Sequence, residues 1–189
     1  MNKISKSAIL AVFFIVSIMV IIYFTSGSYV FAIEYNTYTS KTFGIEFQYS
    51  SDWKIDSIDE DKGVIIIEDP NDSSKEIAIY KDLFHEGKGE HDLQSFTDEN
   101  LALLKELSFK IIQKPVLIST ENLEMQTFLT TNEDNNEIKA VQHWTFIGNG
   151  HEYVIRFFSP VSKFNSPVNT EILDPFIKSI KIISANKNP

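Results

Sequence analysis

Along FGIEFQYSSDWKI (43–55), apolar Ile45, Phe47 and Tyr49 alternate with polar Glu46 and Gln48. A period of two marks a strand with one face on a core and the other in water. Val64 to Ile67 form a short β-branched run that stops at the turn residues Asp69-Pro70-Asn71-Asp72. KEIAIYKDL follows as another strand, so residues 63–83 read as a hairpin. The strongest pairing signal is AVQHWTFIGNGHEYVIRFF, where Asn149-Gly150 suits a two-residue turn that needs positive φ at both central positions. The flanking strands are apolar on both faces: Ala140, Trp144 and Phe146 against Val141 and Ile147, then Tyr153, Ile155 and Phe157 against Val154 and Phe158. Such strands are covered on both faces. EMQTFLTTNEDNNEIKA reads as one more strand, running through an acidic turn into the Trp144 strand.

The period turns helical in DLQSFTDENLALLKEL, which spaces Leu93, Phe96, Leu101, Leu104 and Leu107 along one side behind an N-cap at Asp92 or Thr97. VNTEILDPFIKSIKI is a second helical stretch. Pro175 stands either inside a helix that starts at Asn169 or at the first helical position behind an Asp174 cap, and the final turns favour the cap. These elements add up to an α+β fold, a three-layer α/β/α sandwich with a central, mostly antiparallel sheet, preceded by an N-terminal hydrophobic helix.

That N-terminal segment is AILAVFFIVSIMVIIYF, residues 8–24, uncharged and preceded by Lys3 and Lys6. Its length fits both a membrane-spanning helix and a long signal-peptide core. Val30 and Ala32 stand at −3 and −1 of a cleavage site after Ala32. Both readings, a cleaved signal peptide and an uncleaved anchor, leave the lysines in the cytoplasm and export the rest. The expected organisation is therefore a signal peptide or anchor over 1–32, a globular domain over 33–184 and a tail over 185–189. The expected location is extracytoplasmic, secreted or held at the plasma membrane by residues 8–24.

Composition narrows the picture further. The chain has no cysteine, which excludes a disulfide framework, a thiolate metal site and a lipidated cysteine. Of 17 basic and 26 acidic residues, only Lys3 and Lys6 precede residue 33, so the remainder carries a net charge of −11 with one arginine, Arg156. Nucleic acid calls for clustered Lys and Arg, and anionic lipid repels such a surface.

Several of these segments resemble the PsbP-like proteins. FGIEFQYSSDWKI, GNGHEYVIRFFSP and ILDPFIKSIKI follow the family's pattern of a strand ending in Tyr-Pro-x-x-Trp, a late Gly-x-x-Tyr hairpin strand, and a helix running into a Lys-Ser-Phe-Lys-Ile-type strand. Tyr49, Trp53, Gly150, Tyr153, Ser179 and Lys181 stand at matching places, while Ser50 replaces the usual proline and Ile180 the phenylalanine. The resemblance spans about residues 35–183. It implies an α/β/α sandwich with a central antiparallel sheet, in a divergent prokaryotic, non-photosynthetic member. The best-known relatives are extrinsic subunits on the lumenal side of photosystem II that help retain calcium and chloride. The matched positions serve packing and turns, so no family site residue carries over.

Catalytic signatures are missing: there is no Gly-x-Ser-x-Gly elbow, phosphate loop or dinucleotide fingerprint. Asp59, Asp61 and Gly63 begin like a calcium loop, but Lys62 stands where an oxygen ligand belongs, and the acidic turns read as surface. His143 reads as a sheet histidine and His151 as solvent-exposed beside its turn. HEGKGEHD (85–92) offers His85, Glu86, Glu90 and His91 as ligands of a weakly held divalent metal. The two histidines are six residues apart, about 240° around a helix, which removes the helical zinc motif. The competing reading is a strand-to-helix linker. No catalytic residue and no cofactor is expected. The function expected is an exported, membrane-associated, non-enzymatic accessory protein docking on an envelope or membrane protein complex. The alternative is an extracytoplasmic small-molecule or metal-binding module.

Overall fold

Among the described residues of the protein, seven strands form one antiparallel sheet and three form another. The structure, a computed structural model, describes residues 33–82, 92–134, 137–165 and 167–183. Among these, the elements run β1 (Tyr35–Ser40), β2 (Ile45–Ser50), β3 (Lys54–Asp59), β4 (Val64–Glu68), β5 (Glu76–Lys81), α1 (Leu93–Glu106), β6 (Lys110–Ser119), β7 (Glu124–Asp134), β8 (Glu137–Gly148), β9 (His151–Pro160), the short α2 (Val161–Phe164), α3 (Pro167–Ser179) and β10 (Lys181–Ile182). The large sheet is ordered β3-β4-β5-β9-β8-β7-β6 and the small one β1-β2-β10. The described elements from β1 to β10 belong to one compact unit.

Register explains the core. Ile65 faces Ile79, Ile79 faces Ile155 and Ile155 faces Trp144 across four neighbouring strands. Ile67, Ile77 and Phe157 make a second such row. These side chains share one face of the large sheet, and Ile45 and Phe47 of β2 with Ile172, Phe176 and Ile177 of α3 close over them. The opposite face is roofed by α1, whose Leu101 and Leu104 pack on Phe128. The expected α+β class and antiparallel central sheet are thus present, with α1 and α3 on opposite faces.

Some elements differ from their sequence reading. Residues 43–55 are not one strand. The backbone turns at Ser50, where Trp53 N–H donates to the Ser50 carbonyl at 3.0 Å, and the chain passes from β2 in the small sheet to β3 at the edge of the large one. The small sheet is therefore an extra layer component that the alternation at 43–55 does not announce. Nor does Pro175 open a helix behind Asp174, because α3 is continuous with Pro175 inside it. A proline there leaves the carbonyl four residues back without its helical donor. That carbonyl belongs to Glu171, and the Tyr35 hydroxyl of β1 donates to it at 3.4 Å. Asp92, not Thr97, is the N-cap of α1, its carboxylate accepting from Ser95 N–H at 2.8 Å.

The motif residues join layers. Tyr153 stacks on Phe146 at 4.8 Å and donates to the Phe43 carbonyl at 2.6 Å. Ser179 accepts from Gln48 N–H at 2.8 Å and donates to the Phe176 carbonyl at 2.7 Å. Trp53 sits 6.4 Å from Phe157. The hairpin turn has Asn149 at φ 52° and Gly150 at 74°, as its sequence requires. Gly63, at φ 63°, has no room for a side chain: a Cβ would stand 2.5 Å from the Lys81 carbonyl oxygen. Gly63→Ala should lower stability by about 1–3 kcal/mol. Urea unfolding checks this, and an unchanged midpoint would refute it.

Candidate functional site

His85, Glu86, Glu90 and His91 lie outside the described residues, as does the apolar segment 8–24. Among the described residues no three His, Asp or Glu side chains stand close enough to hold a metal ion. Among them also, no helix is long and apolar enough to cross a membrane. Three features of the described fold have chemical content.

The first is the face of the large sheet under α1, which is polar at its centre. Cross-strand register sets His143 beside Phe128 on one side and Arg156 on the other. His143 is fully buried, stacks on Phe128 at 4.5 Å, and pairs through Nε2 with the Thr130 hydroxyl at 2.9 Å. Burial, aided by the nearby Arg156 charge, holds its pKa well below the ordinary histidine value. Thr97 of α1 meets Thr145 of β8, oxygen to oxygen at 2.7 Å. Arg156 lies over the Tyr80 ring at 5.1 Å, and its Nε and Nη2 are buried without an acceptor. The Nδ1 atom of His143 and both side-chain polar atoms of Asn100 are likewise buried without a partner.

His143 makes a pH prediction. Unfolded, it takes up a proton near pH 6.5; folded, only well below that. The stability this neutral ring contributes is present above about pH 6.5 and is lost as pH falls toward the folded value. His143→Gln should therefore flatten the acid limb of the stability curve by up to about 1.4 kcal/mol per pH unit. Urea midpoints at several pH values below 6.5 measure the slope; an unaltered slope would mean His143 is already protonated in the fold.

The second feature is an oriented imidazole at one end of the sheet. His151 Nδ1 stands 2.7 Å from Asp82 Oδ2, so the ring is only part-exposed rather than free in solvent as its turn position suggests. The other Asp82 oxygen accepts from Glu152 N–H at 3.0 Å, and the Asp82 N–H donates to the Glu152 carbonyl at 2.8 Å. Asp82 holds φ at 51°, so this clasp keeps a non-glycine residue left-handed where β5 ends. The arrangement orients one ring but brings no second ligand or nucleophile to it among the described residues.

The third is a groove of about 540 Å³ between the end of β6 and α3. Trp144 lies at its base, Ile118 and Ile177 line it, and Glu121, Asp174 and Lys178 supply charge. It adjoins an open stretch of sheet. The register places Val116 of β6, Thr127 of β7 and Trp144 of β8 side by side on the core face. Ile138 falls on that face too by alternation. Beside the groove Val116 is 48% exposed, whereas Ile138, 55% exposed, stands at the other end of β8, six residues from Trp144. No sequence motif marks the groove, because its residues come from three separate stretches of chain, 118–121, 144 and 174–178.

The sequence matches no family model and no curated protein. Solved structures do match. The cyanobacterial PsbP (CyanoP) of Synechocystis sp. PCC 6803 superposes with a TM-score of 0.58 at 12% identity, over 82% of this chain and 96% of that one. The chain has a PsbP-like fold. Other proteins are similar to it in the same way. LpqN, involved in cell envelope biogenesis of Mycobacterium tuberculosis, matches at a TM-score of 0.53 and 13% identity, covering 80% of this chain and 92% of LpqN. A protein of Bacteroides thetaiotaomicron matches at 0.57 and 11% identity over 80% of this chain. The chain spans about half of that protein, 49%. At such identities the likeness shows the fold and no site.

Proposed function

We propose that this protein is an extracytoplasmic, non-enzymatic accessory protein that docks on another protein of the cell envelope through the open sheet end beside Trp144. The observation that carries this reading is the apolar Val116, 48% exposed beside the groove in the same cross-strand row as the buried Trp144. Apolar surface left open next to a groove marks an interaction site. The apolar run at 8–24 behind Lys3 and Lys6 supports export or anchoring. The envelope role printed for LpqN is compatible with the same placement.

A photo-crosslinking amino acid at position 116, in the full-length protein within its native cells, should give a discrete adduct in the membrane fraction. The same residue at Asp61, in the exposed turn between β3 and β4, should not. Equal background at both positions would defeat the docking reading. A second reading, a small-molecule binding module, is favoured by the volume of the groove, which lies in the range of ligand pockets. It predicts a raised melting temperature with a specific ligand in a thermal-shift screen.

A further inference from the structure

The groove beside Trp144 selects a partner by charge, and we infer that it receives a Lys or Arg side chain from an extended, apolar-flanked segment of the docking partner. The inference rests on the docking reading above and names the chemistry of the contact.

The interior is apolar and the mouth is charged. The Trp144 indole is 8% exposed, and Ile118 and Ile177 flank it. Glu121, on the turn after β6, and Asp174, on α3, bring two carboxylates from separate elements to one rim. Against them stands Lys178, one helical turn beyond Asp174 and 3.8 Å from it. Glu121 has no ion-pair partner among the described residues, so the rim is left with an excess negative charge. A side chain suited to this site has an apolar stem for the indole and a cationic head for the rim. Lys and Arg are the natural side chains built that way, and a cation near an indole face gains further attraction.

The existing Asp174–Lys178 pair does not block such a guest. Its side chains are 61% and 72% exposed, and exposed pairs of this kind contribute about 0–1 kcal/mol. An incoming cation can replace Lys178 at little cost, whereas a buried pair would resist. The surroundings act in the same direction. Residues 33–189 carry a net charge of −11, which draws a basic segment and repels an acidic one at encounter distances. The same charge argues against a second copy of this chain as the occupant, since two such surfaces repel. It argues equally against an anionic bilayer.

The test uses the full-length protein in detergent micelles with two synthetic peptides, acetyl-Ala-Leu-Lys-Leu-Arg-Leu-amide and its twin with Glu at both basic positions. The basic peptide should shift Trp fluorescence saturably, and Trp144→Phe should abolish that change while Trp53→Phe keeps it. Glu121→Gln with Asp174→Asn should weaken the basic peptide by about tenfold without moving the melting temperature. Both positions are on the surface, so the variant is expected to fold. Equal binding of the acidic twin, or unchanged affinity in the double variant, would overturn the inference. If the peptides fail and the crosslink from position 116 persists, docking stands and only the cationic occupant is wrong. If the crosslink also fails, the docking reading falls with it.

Discussion

Phe47→Ala should lower the unfolding free energy by about 3–5 kcal/mol, in the range of large-to-small aromatic deletions in packed cores. Phe47 is fully buried, 5.1 Å from the Tyr38 ring and 5.3 Å from the Phe176 ring, which meets it edge-on. It thus links β1, β2 and α3 at the point where the small sheet faces the large one. Its loss removes apolar contact from three elements, and a site pinned by hydrogen bonds at Ser179 and Gln48 has little freedom to collapse into the gap. Urea unfolding gives the value directly. A loss below about 1 kcal/mol would show that the small sheet is peripheral to stability rather than part of the core.

Arg156→Met should act in the other direction and stabilise the protein, by about 1–4 kcal/mol. The guanidinium lies across the Tyr80 ring, with two nitrogens buried and without an acceptor. Burial draws its pKa down, and the Tyr80 interaction offsets that only in part. Methionine keeps the unbranched stem against the ring and removes the desolvated charge. The substitution should also raise the pKa of His143, whose depression owes its second cause to this arginine. A fall in stability of more than about 1 kcal/mol would mean that Arg156 has found a counter-charge, and that the polar ladder under α1 is held together by it.

Legibility in the sequence followed the range of the interactions. The β8–β9 hairpin and the α1 helix were readable because their signals are local: a turn that demands positive φ at Asn149 and Gly150, and a cap at Asp92 followed by apolar residues at helical spacing. The resemblance at Trp53, Tyr153 and Ser179 falls on residues whose contacts join separate elements: Trp53 with Phe157, Tyr153 with Phe43, and Ser179 with Gln48. The break between β2 and β3 was hidden, since Ile45 to Ile55 alternate as one strand would, and only the tertiary pairing of β2 with β1 and β10 divides them. Pro175 misled for a related reason. Its cost to α3 is met by a tyrosine hydroxyl contributed from residue 35, a partner no helix pattern contains. The groove was illegible altogether, as Trp144, Glu121 and Asp174 share no spacing.

One arrangement has a consequence in time rather than in energy. The small sheet sets residues 181–182 beside 45–46, and the Ser179 hydroxyl holds the Gln48 backbone across 131 positions of chain. Contacts so remote in sequence are slow to form and come late in folding. As the ribosome emits the chain from its N-terminus, the face bearing Ile45 and Phe47 must wait for Phe176 and Ile182 before it can close. Until those residues emerge, β2 lacks its β10 neighbour and the small sheet stays unlatched.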